Sequence, residues 1–267
     1  MQNILLKIYK FIQINLSFNI IKINKHNKKY FNNLNKTTNG IILVEFNNIL
    51  SAHITYPYLI KVLNDKKNSK LISYTPNKIS KFYYYLNMFL LPLNLGVYSI
   101  YKSFGSTKLI TPDLTNKNFK EFNNVKKKIN NKNELIDLKL DGIWVGDLIY
   151  DSYLKKYNLP TIDLKNKSFD EFLKYSIEIF YFWKDYFNQN NINAICVSHC
   201  CYLNAIPLRI AISKRISSYM IHLQKCYRLD KNNLFADKDF RYYKEVFIQF
   251  SNNDKKKFIQ LAFDRIK

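Results

Sequence analysis

Gly40-Ile41-Ile42-Leu43-Val44-Glu45-Phe46-Asn47-Asn48 decides the fold. A short continuous apolar run, opened by Gly and closed by an Asn pair, reads as a strand buried on both faces; a strand with one wet face would alternate. Ser51 to Leu63 follows with apolar residues near helical spacing, and Lys70 to Tyr74 is again strand-like. Next come an apolar helix from about Lys78 to Leu93, a second over Leu95 to Phe104, and a short strand at Lys108 to Thr111, ended by Pro112. Asn116 to Asn131 reads as a Lys-rich amphipathic helix. Ser168-Phe169-Asp170-Glu171 has capping-box spacing. It opens a helix whose Phe169, Phe172, Leu173, Ile177, Phe180, Trp183 and Phe187 form a core-facing stripe. Ile192 to Ser198 repeats the buried-strand pattern, followed by a helix from about Leu203 to Lys214 and a strand at Ser217 to Ile221. This alternation predicts an α/β domain with a mostly parallel sheet, helices on both faces, and Ile41–Phe46 and Ile192–Ser198 as inner strands.

Outside that domain the chain changes character. Met1 to Ile23 is apolar but broken by Lys7, Lys10 and Lys22, and reads as an N-terminal helical or apolar extension covering a core edge, or as an interfacial anchor. His26 to Asn39 reads as a polar linker. The expected organisation is an extension and linker over 1–39, the α/β domain over 40–235, and a charged helical tail over 236–267 or the start of a linker to a second domain.

Composition narrows the function. The 267 residues are 47% hydrophobic, ample for a core, so a disordered chain is excluded. The net charge is +22, from 42 Lys+Arg against 20 acidic residues, yet only five residues are Arg, all from Arg209 onward. Asn, Ile, Lys, Phe and Tyr are in joint excess, which points to a compositional bias of the coding sequence. Arg is preferred for bidentate phosphate and base contacts, and neither an RNP aromatic motif nor a GXXG loop is present. The charge is therefore read as mostly solvated Lys with attraction to an anionic membrane surface, and no nucleic-acid partner is expected. Four Cys without a disulfide pattern indicate a reducing, cytoplasmic compartment, and no run of about 18 uncharged apolar residues predicts a spanning helix. No GxGxxG or Walker A loop is present, and Cys200 and Cys201 are wrongly spaced for zinc. No cofactor and no metal are expected.

In an open parallel sheet, ligands bind beyond the carboxyl ends of the strands. Residues following strands are the first candidates: Glu45, Asn48 and His53 after the first strand, Ser198 and His199 after the later one, and His222 after the last. Asp141-Gly-Ile-Trp-Val-Gly-Asp147-Leu-Ile-Tyr-Asp151 holds two of the five Gly and three carboxylates. Asp147 reads as an N-cap, and Gly142 and Gly146 as residues that let the chain bend into the helix.

Three stretches, 40–47, 141–154 and Asn158-Leu-Pro-Thr-Ile-Asp-Leu164, together resemble the N-terminal half of bacterial surface- or capsule-polysaccharide biosynthesis proteins of the GT-B glycosyltransferase type. Val197-Ser-His199-Cys-Cys-Tyr202 followed by Pro207-Leu-Arg-Ile-Ala211 is similar to the segment after a late strand of that half. The resemblance spans roughly Gly40 to His222. It implies a Rossmann-like acceptor-side domain facing a second domain that holds the nucleotide-sugar donor; that second half falls outside this sequence, so the chain is expected to be inactive alone. It further implies a glycan or lipid-linked acceptor, a place at the inner face of the membrane, catalytic roles for His53 (as general base) and Glu45, and substrate contacts from Asn48, Asp147 and His199. Two alternatives stand beside it: a sugar-nucleotide epimerase-like half, and a non-enzymatic Lys-rich nucleic-acid-binding module.

Overall fold

The computed structural model describes residues 13, 15–31, 39–114, 119–223, 225–236 and 243–266. The apolar stretch 1–12, linker residues 32–38, the first residues of the Lys-rich helix and Arg241 lie outside them. The chain divides into two compact units, residues 1–234 and 235–267.

In the first unit the elements run α1 (Phe18–Phe31), β1 (Ile41–Glu45), α2 (Leu50–Lys67), β2 (Lys70–Tyr74), α3 (Lys81–Leu90), α4 (Val97–Ser103), β3 (Leu109–Ile110), α5 (Phe119–Lys126), α6 (Lys132–Ile136), β4 (Lys139–Leu140), β5 (Ile143–Trp144), α7 (Gly146–Tyr157), α8 (Lys167–Gln189), β6 (Ile192–Val197), α9 (Ile206–Ser213), β7 (Ser217–Ile221) and β8 (Cys226–Leu229). Six strands form one sheet in the order β3-β2-β1-β6-β7-β8, all parallel except the β7–β8 edge pair. This is the Rossmann-like α/β architecture expected. β1 is central: Ile41 to Glu45 pair in register with Lys70 to Tyr74 on one side, and Ile42 to Val44 with Ala194 to Cys196 on the other.

The two-period of a strand sends alternate side chains to opposite faces. Ile42, Val44, Ala194 and Cys196 pack in one cluster with Tyr56 and Ile60 of α2 and Tyr98 and Tyr101 of α4. From β2, Tyr74 meets Trp183 of α8 edge-on at 5.1 Å between ring centroids, and the Trp183 indole donates to the Pro76 carbonyl at 2.8 Å. All seven residues of the predicted α8 stripe are buried.

Several local expectations are corrected. His26 to Phe31 is the last part of α1, not linker. Its polar composition misleads because Asn24 and Asn27 are buried, donating to the Ser99 and Ser103 hydroxyls of α4 at 2.7 and 3.0 Å. α8 is capped by Asn166, whose side chain accepts from the Ser168 N–H at 2.9 Å, rather than by Ser168. Val145 occupies the N-cap of α7, and Asp147 sits inside its first turn. Asp141 and Gly142, at φ 48° and 78°, form the two-residue turn of the β4–β5 hairpin; Asp-Gly is the usual pair where both residues must take positive φ. Gly146 serves close approach rather than bending: a Cβ there would lie 2.0 Å from the Leu135 carbonyl oxygen.

The second unit holds α10 (Tyr243–Gln249) and α11 (Asn252–Ile266). The Ser251 hydroxyl accepts from the Asp254 N–H at 3.2 Å, and the Phe250 and Phe258 rings meet edge-on at 5.1 Å. Among the described residues no helix is long and apolar enough to cross a membrane.

Candidate functional site

The strand order reverses between β1 and β6: the chain moves outward from β1 through β2 to β3, then resumes at β6 on the other side. Loops leaving the carboxyl ends of two such strands diverge and open a crevice. Glu45 ends β1 and Ser198 follows β6, so these two residues flank the reversal. They are joined directly, the Ser198 N–H donating to Glu45 Oε2 at 2.6 Å.

Glu45 is 1% exposed. Burial pushes its carboxyl up to about 7 from an ordinary 4.5, outweighing donors from Ser198, the His199 N–H and the Asn204 side chain that favour the charged form. Asn204 in turn accepts from the Asn77 side chain at 2.7 Å. Thus one carboxyl at the end of β1 organises the loop after β6 and, through Asn204, reaches the loop after β2.

Above this network lies a cavity of about 630 Å³ lined by Asn77, Ser152, Lys155, Lys156, Phe172, Tyr175, His199, Tyr202, Leu203 and Asn204. The Ser152 hydroxyl accepts from the Leu203 N–H at 2.7 Å, tying α7 to the post-β6 loop. Tyr202 stands at φ 59°, ψ −179°, a region that costs a non-Gly residue on the order of 1–3 kcal/mol and is held at functional sites by surrounding structure. Here the Lys155 ammonium sits 4.0 Å from the Tyr202 ring centroid. His199 Nδ1 is 2.8 Å from the Ser198 hydroxyl, which leaves Nε2 available to a ligand. Burial, with Lys155 and His222 nearby, holds the His199 imidazole below its usual range, so it is neutral near pH 7 and keeps a lone pair that can accept a proton.

The other expected site residues fall elsewhere. His53 is buried in α2, edge-on to Tyr101 at 5.8 Å, with Nε2 2.8 Å from the Asn47 carbonyl. A carbonyl only accepts, so Nε2 carries the proton and is committed to the backbone. His53 does not line the cavity, although it belongs to the same edge of the sheet. Asn48 accepts from the Tyr83 hydroxyl at 3.0 Å and lines a neighbouring pocket of about 210 Å³ that shares Asn77 with the larger cavity. Asp147, partly exposed, forms an ion pair with the buried Arg209 of α9 at 2.7 Å, and the guanidinium lies 4.7 Å over the Trp144 ring. With its side chain 2% exposed, Arg209 clamps the β4–β5 hairpin and α7 to α9 rather than holding a diphosphate. His222 is exposed and lines a separate pocket of about 390 Å³ beside α2.

Lys155 and Tyr175 escaped the sequence reading, and Tyr202 entered it only as the end of the Val197–Tyr202 stretch, with no role. Tyr202 and Tyr175 carry no mark separating them from the many core aromatics, and Lys155 none separating it from the other Lys. Asn77, in the loop after β2, was open to the same strand-end rule that picked out Glu45. Among the described residues no group of three or more His, Cys, Asp or Glu is placed to hold a metal ion. No family model, no curated protein and no solved structure matches the chain.

Proposed function

We propose that this chain is the acceptor-side half of a GT-B-type glycosyltransferase acting in cell-surface polysaccharide biosynthesis. The observation that carries this reading is convergence. Glu45, Ser152 and His199–Tyr202 come from three separate stretches that resemble that enzyme class, and they meet at one crevice, in its wall or directly beneath it. The crevice suits an acceptor. It is open, it combines aromatic faces with amide and hydroxyl groups, and it holds one neutral imidazole able to take a hydroxyl proton.

In this reading His199 is the general base and Glu45 positions the loop that carries it; His53 supports the core instead of the chemistry. The nucleotide-sugar donor is held by a second Rossmann-like domain beyond these residues. Attack on an anomeric carbon needs donor and acceptor fixed together and the leaving diphosphate's charge stabilised. Arg209, the buried guanidinium nearest the crevice loops in sequence, is already paired with Asp147. The acceptor is a glycan or lipid-linked glycan met at the inner face of an anionic membrane.

Isothermal titration of the chain with nucleotide-sugars and with oligosaccharides tests this. The expected result is oligosaccharide binding without nucleotide-sugar binding, and no transfer by the chain alone. Tighter binding of nucleotide-sugar than of any saccharide, or measurable transfer by the pure chain, would overturn the acceptor-side assignment.

A further inference from the structure

The charge lining the crevice is one-sided. Lys155 and Lys156 are consecutive on α7 and both line the cavity. Their ammonium groups rest over aromatic rings, Lys155 at 4.0 Å from the Tyr202 centroid and Lys156 at 5.0 and 5.2 Å from those of Tyr157 and Phe172. Cation–π contacts of this kind hold an ammonium in place without neutralising it.

Among the described residues neither Lys forms an ion pair. Asp151, one turn earlier on α7 at the spacing that favours pairing with Lys155, forms no ion pair with it. No Asp or Glu is among the described residues that line the cavity, and Glu45 beneath its wall is occupied by the post-β6 loop. His199 adds no negative charge, and Asn77, Ser152, Asn204, Tyr175 and Tyr202 are neutral polar groups. The cavity therefore presents two uncompensated cations beside flat aromatic faces and amides. Aromatic faces suit the apolar faces of sugar rings, amides suit their hydroxyls, and free ammonium groups in a concave site select an anion.

We infer that the crevice takes an acidic saccharide, with a carboxylate or phosphate carried on the sugar lying against Lys155 and Lys156. This rests on the acceptor-side reading above and specifies its substrate class. Both anions share one chemistry, negatively charged oxygens accepting from ammonium donors.

The test is a binding panel on the full chain: neutral oligosaccharides, their uronic-acid counterparts, their phosphorylated counterparts, and inorganic pyrophosphate. Each is measured with wild type, with Lys155→Gln/Lys156→Gln, and with Lys66→Gln/Lys67→Gln, a charge-matched control at the far end of α2. The expected result is that acidic saccharides bind about tenfold or more tighter than neutral ones, and that the crevice variant loses this preference while the control keeps it. Which acidic class binds identifies the anion. Equal binding of neutral and acidic saccharides would overturn the inference and leave the acceptor-side reading intact. Equal loss in both variants would show attraction to overall charge and also overturn it. Pyrophosphate binding with every saccharide inert would make the crevice a phosphate site and remove both readings, and so would an inert panel.

Discussion

Glu45 carries the strongest single-residue consequence. Its carboxyl is raised to about 7, so the folded state holds the proton more tightly than the unfolded chain does. The resulting stabilisation is complete below the ordinary carboxyl value near 4.5 and is lost as pH rises through about 7, amounting to about 3 kcal/mol across that window. Glu45→Gln keeps an acceptor for the Ser198 N–H and cannot ionise. Urea unfolding of both proteins at pH 5 and pH 8 should show wild type losing about 2.5 kcal/mol relative to the Gln variant, since part of the effect is already lost at pH 5. The imidazoles of His53 and His199, both held below their usual range, act oppositely: their stabilisation is present above about 6.5 and lost as pH falls. They are common to both proteins, so the difference isolates Glu45, and pH dependences that run parallel would contradict its raised value. The two histidines should separate by readout. On the proposed acceptor-side reading, in an enzyme reconstituted with a donor-binding domain, His199→Ala should lower turnover by about 10²–10⁴-fold with little change in stability. His53→Ala should instead cost about 3 kcal/mol of stability, since it removes a buried ring and orphans the Asn47 carbonyl. The reverse pattern would return the base role to His53.

α3 is an element whose exposed face asks for an explanation. Phe82, Tyr85 and Phe89 recur at i, i+3 and i+7, and Phe82 and Phe89 are 75% and 72% exposed. The helix starts beside the crevice, where Tyr83 lines the smaller pocket, and exposed Lys78 and Lys81 flank its first turn. Aromatic side chains next to Lys are what an interfacial helix presents to an anionic bilayer. Co-sedimentation should show salt-sensitive binding to vesicles of anionic lipid, little binding to neutral ones, and a clear drop for Phe82→Ser/Phe89→Ser. Unchanged binding by that variant would move the membrane contact elsewhere. Whether an element was legible in the sequence depended on what marks it. β1, β2 and β6 were readable to within a residue because strands buried on both faces are nearly continuous apolar runs, whereas β7, whose burial alternates, was placed as closely without such a run. β8 was not, since Cys226-Tyr227-Arg228-Leu229 is a half-exposed edge with no such run. The β4–β5 hairpin has only two residues per strand, too short for any periodicity, although its Asp-Gly turn was the available signal. α1 was cut short because Asn-to-Ser hydrogen bonding inside a helix contact looks like linker composition.

For the molecule as a whole, the sheet topology does what no single motif in the sequence could. The strand-end rule places Glu45 and His199 at the edge of the sheet where the crevice lies. It does not tell them from His53, whose ring turns into the core, and the Gly-bounded stretch that singles out Asp147 gives no sign of its partner Arg209, 62 positions away. Only the β1/β6 reversal brings the loops after β2 and β6 and the helices α7 and α8 around one cavity, with the Glu45–Ser198 bond beneath it. The central claim is that this crevice is where a sugar acceptor binds. It is tested most directly by titrating isotopically labelled chain with oligosaccharides and mapping the amide shifts by NMR. The account predicts perturbations concentrated at Asn77, Ser152 to Lys156 and His199 to Asn204, with a separate pocket of about 270 Å³ at the start of β7, lined by Arg215, Ser217 and Arg228, unmoved. Shifts centred on Arg215 and Arg228, or on the His222 pocket beside α2, with the crevice silent, would contradict it.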